Sequence, residues 1–195
     1  MAHVNIGSES FPCPMPTVIV GSVRAGRPNY MTAAWWTRVK LKPVILAVCI
    51  NERHHTPGCI REGRAFSLCV PGTALLARTD YVGLVSGARE DKSGVFTAFY
   101  GETGAPLISE CGLNVECRLV DEKSMGSHTL FFGEVAAVFA EESLMKDGAP
   151  DPALLDPLLL TMPDNRYWSL GAPVGRAWHD GKALRKGKDG QEHAD

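Results

Sequence analysis

The sequence is that of a mainly β protein, an antiparallel barrel with a few short helices. Three observations predict it. Strand-like segments outnumber helix-like ones, and they do not alternate with long helices as an open parallel sheet requires. One of them, Val44 to Ile50, is apolar at every position, as in a strand that lines a barrel interior. A chain of 195 residues supports one domain with a sizeable core, expected over residues 1–178.

Thr17 to Val23 is β-branched and apolar and meets Arg24-Ala25-Gly26-Arg27-Pro28, a strand entering a hairpin turn. In Asn29 to Lys42, the closing Arg38 to Lys42 alternates polar with apolar, so that part is a strand with a basic face. Thr56 to Gly63 reads as a short helix, with Thr56 as cap, Pro57 at the first helical position and Gly63 at the end. Ala65 to Val70 is a further buried strand, and Thr73 to Leu84 carries a helical apolar stripe. Leu113 to Val120 and Ser127 to Ala140 are longer strands with Gly126 in the turn between them. Asp147 to Pro163 is a proline-bounded excursion with a short helix, and residues 179–195 read as a disordered polar tail.

Composition excludes several function classes. Twenty basic and twenty-two acidic side chains leave a net charge of −2, so no field recruits nucleic acid or an anionic bilayer. The longest apolar run falls far short of the roughly 20 residues that cross a membrane. The opening MAHVNIGSES has neither the basic nor the apolar region of a secretory signal, which predicts a cytoplasmic protein. Six cysteines without a C-x-x-C pair read as reduced thiols, mostly buried. No lipase-type serine elbow, P-loop, zincin or Rossmann motif occurs. His54 and His55 beside Glu52 point to opposite sides of an extended segment, so no metal site is expected.

Three polar segments interrupt the strands at their ends, where binding residues gather: Pro28 to Trp36, Asn51 to Thr56, and Ser86 to Lys92. They belong to an ordered series. Pro28-Asn29-x-Met31-Thr32-Ala33-Ala34-Trp35 is followed by the proline-led strand, an Arg/His segment ending in Thr56, and Ile60, Gly63 and Phe66. Gly83, Ser86-Gly87 and Asp91-Lys92 come next, then Leu113 to Cys117, His128 to Val135, and Tyr167 with Leu170-Gly171. This order resembles the flavin reductase-like proteins that include flavoredoxin. Two positions depart from the pattern: Ser127 replaces an acid before the histidine, and Ser93 replaces an aromatic after Asp-Lys.

The resemblance implies a split β-barrel that binds FMN, usually within a homodimer. It implies electron transfer between a reduced nicotinamide (NADH or NADPH) or a redox-protein partner and a flavin, a ferric complex or another acceptor. FMN needs donors for a phosphate, hydrogen bonds for a ring edge and an apolar face. Arg53, His54 and Thr56, after Asn51 and at a helix start, are the phosphate candidates. Asn29, Thr32 and the backbone through Ala33 suit the ring edge, with Met31 or Trp35 packing nearby. Ser86, Gly87 and Lys92 suit the phosphate or the ring's N1, and His128 suits the reactive edge as a proton donor. The same residues also fit a solvated loop, a tryptophan-rich core, a surface lysine and a histidine satisfied in a barrel wall. An electron carrier without turnover of its own, or a haem-binding barrel, is the competing function.

Overall fold

The computed structural model describes residues 1–9 and 13–187. Two-residue alternation decides which core each strand side chain enters. On β1 (Val18–Arg24), Val18 and Val20 enter one core while Ile19 enters another on the opposite face. β2 (Arg27–Ala33) splits the same way, with Met31 and Ala33 on one side and Tyr30 on the other. The remaining strands of the sheet are β3 (Trp36–Leu41), β4 (Val44–Asn51), β5 (Ala65–Val70), β6 (Leu113–Ser124) and β7 (His128–Ala140).

These seven strands form one antiparallel sheet in the order β2-β1-β5-β6-β7-β4-β3. Its edges, β2 and β3, do not pair with each other, so the curled sheet stays open along one side as a split barrel. The inner core joins Val20, Val48, Phe66 and Phe131 with Ile60 of helix α1 (Thr56–Gly63). The outer core lies under helix α2 (Leu76–Leu84), where Val82 packs with Ile19, Tyr30 and Phe96. No described helix is long and apolar enough to cross a membrane.

α1 has the expected bounds, with Pro57 in its first turn, but Thr56 is not its cap. His55 holds the N-cap position in a helical conformation without a side-chain bond. The Thr56 hydroxyl instead accepts from Asn29 Nδ2 at 3.1 Å, a tertiary partner that outcompetes the local one. Asn29 to Lys42 forms two strands where the sequence indicates one. The excursion contains helix α3 (Pro152–Leu155), capped by Asp151, and its flanking hairpin of 159–161 and 166–168 pairs with Met15–Pro16. Asp180–Gly187 forms a 3-10 helix within the segment expected to be a disordered tail, and 188–195 lie outside the described residues. All six cysteines are free, and four of them are buried.

Gly133 marks a bulge in β7 against β6. A methyl group there would come within 2.5 Å of Phe66 Cζ and 2.7 Å of Cys117 Cβ. Gly133→Ala should therefore overpack the inner core and destabilise the fold by about 1–3 kcal/mol. Urea denaturation measures it, and an unchanged midpoint would contradict the packing described.

Candidate functional site

As an edge strand, β2 pairs on one side only, which leaves alternate backbone groups on its other side free for a ligand. It runs past two hollows. One, of about 280 Å³, is walled by Met31 to Trp35 and by Asn51, His54 and His128, with Leu160 and Met162 closing it from the C-terminal hairpin. The other, of about 340 Å³, holds Asn29, His55, Gly87 and Lys92, with Arg24 and Arg27 at its mouth. Asn29 to Trp35 spans roughly 20 Å at ~3.3 Å per residue.

The segment between β4 and α1 owes its shape to local bonds and one ion-pair clamp. Asn51 Oδ1 accepts from the Arg53 N–H and the Asn51 carbonyl accepts from the His54 N–H, both at 3.0 Å, which folds the chain back on itself. Arg61 of α1 donates to Glu52 at 2.6 and 3.0 Å and to Glu122 at 2.9 Å, over the face of Phe131. The Thr129 hydroxyl also donates to Glu52. The Arg61 bonds, then that of Thr129, hold the Glu52 carboxyl down at about 2. On the same rim, His128 Nε2 lies 3.5 Å from Asn51 Nδ2, its Nδ1 lies 3.0 Å from Ser127 Oγ, and its ring faces Trp35 at 5.5 Å.

The other hollow has a buried floor. Asn29 is 6% exposed; its Nδ2 donates to Ser22 Oγ at 3.3 Å and to Thr56, while its Oδ1 has no partner among the described residues. Gly87 packs so closely on that oxygen that no side chain fits at this position. Lys92, 3% exposed, donates to the carbonyls of Val82 and Val85 at 3.0 Å, closing the C-terminus of α2. Burial pushes its ammonium down to about 8, and among the described residues no carboxylate pairs with it. Burial, then the charge of Lys92, holds His54 below the usual histidine range; for His55 the order is burial, Arg24 and Lys92. Cations that discourage one another's protonation favour an incoming anion.

Most of the residues singled out in the sequence converge on these two hollows. Met31, Thr32, Ala33, Trp35, Asn51, His54 and His128 wall the first; Asn29, Gly87 and Lys92 line the second, with Thr56 bonded to Asn29. Thr32 is already tied, its hydroxyl donating to the Thr79 carbonyl. Arg53 is exposed and lines neither hollow; Ser86 accepts from the Ala88 N–H at 3.3 Å and shapes the turn. Sequence reading passed over Arg24, Arg27, Leu160 and Met162. The two arginines flank a hairpin turn, a visible signal; the other two carry none, being more than 100 residues from β2 in the chain.

The open barrel thus carries, along one edge strand, a partly apolar hollow and a cation-rich one. Comparison with known proteins gives the class. The flavin reductase like domain family matches residues 10–165. Flavoredoxin from Methanosarcina acetivorans is 42% identical, with a TM-score of 0.92 over 94% of this chain and 100% of that one. An FMN-binding protein from Thermus thermophilus is 26% identical, with a TM-score of 0.78 over 90% and 97%. Ferric-chelate reductase (NAD(P)H) of Archaeoglobus fulgidus is 32% identical over 147 residues, 67% of this chain and 84% of the relative. The chain belongs to the flavin reductase-like family and is of the flavoredoxin type.

The Glu52 clamp generates a pH prediction. Its folded carboxyl titrates at about 2 against an ordinary 4.5, so its contribution to stability is complete above 4.5 and is lost as pH falls toward 2. Glu52→Gln should lower the urea midpoint at pH 7 and flatten the fall in stability between pH 5 and 2. A variant with the parental acid profile would show that the clamp does not hold this segment.

Proposed function

We propose that the protein binds FMN along β2 and acts as a flavin reductase-like oxidoreductase, moving electrons between a reduced nicotinamide or redox partner and a flavin or another acceptor. The observation that carries this reading is the pair of hollows joined by one edge strand. The residues present fit the cofactor: Gly87 closes over the Asn29 amide with no side chain to fill the hollow, and the Lys92 ammonium in its lining has no carboxylate partner among the described residues. FMN supplies a ring that accepts two electrons and hands them on. Around it, Thr56, Lys92 and the start of α1 hold the phosphate, with Arg53 closing over it from solvent. The free edge of β2 from Met31 to Ala33 meets the polar edge of the ring, and Trp35 packs beside it. His128, held between Asn51 and Ser127, holds or moves a proton at the ring edge through Nε2. We further propose a homodimer, because Val138, Phe139 and Tyr100 leave apolar surface exposed near the Phe99–Phe139 pair.

The purified protein should be yellow, release FMN and not FAD on denaturation, and show twice the chain mass by light scattering. A colourless protein that does not take up added FMN would rule the reading out. Affinity and rate should separate between the two hollows. Thr56→Val removes a charge-assisted contact worth roughly 1.5–3 kcal/mol, so FMN binding should weaken by about one to two orders of magnitude with reactivity unchanged at saturation. His128→Ala should keep FMN affinity within about threefold and slow anaerobic reduction about tenfold or more. Fluorescence titration followed by stopped flow reads both, and the reverse pattern would exchange the two roles.

A further inference from the structure

The β1–β2 turn has Ala25 at φ 50° and Gly26 at φ 76°, the two left-handed residues of a type I′ hairpin. It sets Arg24 and Arg27 directly opposite each other, so both side chains leave the same face of the ribbon. Like charges in that register repel, yet both line the mouth of the Asn29 hollow. Their carboxylate partners are on the surface: Glu62 lies 3.7 Å from Arg24, and Asp91 lies 2.8 Å from Arg27. Exposed pairs of this kind are weak and give way to a better anion. Arg89, on the same rim, is in no ion pair among the described residues.

In the FMN reading one phosphate takes the floor of this hollow beside Lys92, which leaves the arginines at the mouth in excess. We propose that Arg24, Arg27 and Arg89 form a second phosphate subsite that takes the 2′-phosphate on the adenosine of NADPH, so that NADPH is preferred over NADH as the donor. The proposal rests on the FMN reading: a donor whose nicotinamide lies over the ring near Trp35 and His128 passes over the bound flavin and points its adenosine end toward the hairpin of Arg24 and Arg27. Guanidinium forks suit a phosphate dianion, which can displace Asp91 from Arg27. Glu90 and Asp91, the acids on the same rim, work against the anion.

The test is calorimetric titration of the full chain, with and without FMN, by adenosine 2′,5′-bisphosphate and by 5′-AMP. The parent should prefer the bisphosphate by about tenfold or more, and the double variant Arg27→Ser/Arg89→Ser should lose that preference while binding FMN as the parent does. Asp91→Asn removes the competing carboxylate and should increase the preference, a gain that misfolding cannot imitate. No preference in the parent, its survival in the double variant, or no gain in Asp91→Asn would overturn the proposal. Failure to bind FMN alongside an intact bisphosphate preference would sink the FMN reading and leave the subsite standing.

Discussion

The amide of Asn29, buried beneath Gly87, is where the β1–β2 hairpin, helix α1 and the 86–92 turn meet, and the shape of the site depends on that junction. Both protons of its Nδ2 go to hydroxyl oxygens, those of Ser22 and Thr56, so each hydroxyl keeps its own proton for another acceptor. Thr56 can therefore donate toward an anion at the start of α1. Asn29 Oδ1 is left without a protein donor, and an unpaired buried acceptor costs about 1–3 kcal/mol.

Two devices hold the rest of the site around that amide. Lys92 ties the 86–92 turn to α2 by donating to carbonyls at the helix end, the terminus where a cation is favoured. Its ammonium is thereby held, 3% exposed, in the lining of the hollow. The Glu52–Arg61 pair, with Thr129 and Glu122, fastens the 51–56 segment to α1 and to the two long strands β6 and β7. Asn51 and His128 thus face each other because the residues that flank them are clamped. One device sets charge at the anionic end, and the other sets geometry at the ring end.

Much of this was legible in the sequence, and the failures have physical causes. Pro57 correctly marks the start of α1, whereas the extended segment expected at His54 and His55 is a turn leading into that helix, with His55 in helical conformation, and it is the turn that sends the two rings into different hollows. Gly126 does sit in the turn, at φ 79°, but the strand before it runs to Ser124, past the Val120 expected from the sequence, because its pairing with β7 continues to Thr129. Thr56 misleads because capping is a local preference, and a buried amide 27 residues earlier in the chain satisfies its hydroxyl better. The anchoring of Lys92 depends on where α2 ends, a tertiary fact. Leu160 and Met162 reach the ring hollow only because their hairpin pairs with Met15–Pro16, which no periodicity encodes. The order of the motifs pointed to the family more securely than any single residue pointed to its role.

If one elongated ligand lies along β2, its binding must quiet three segments that are distant in the chain. Hydrogen–deuterium exchange with and without FMN measures this directly. Peptides covering 29–35, 51–56 and 86–92 should gain protection together at one FMN concentration, while the far strands β5 and β6 stay unchanged. Protection confined to one of the three segments, or spread evenly over the sheet, would contradict a single site running from Asn29 to Trp35.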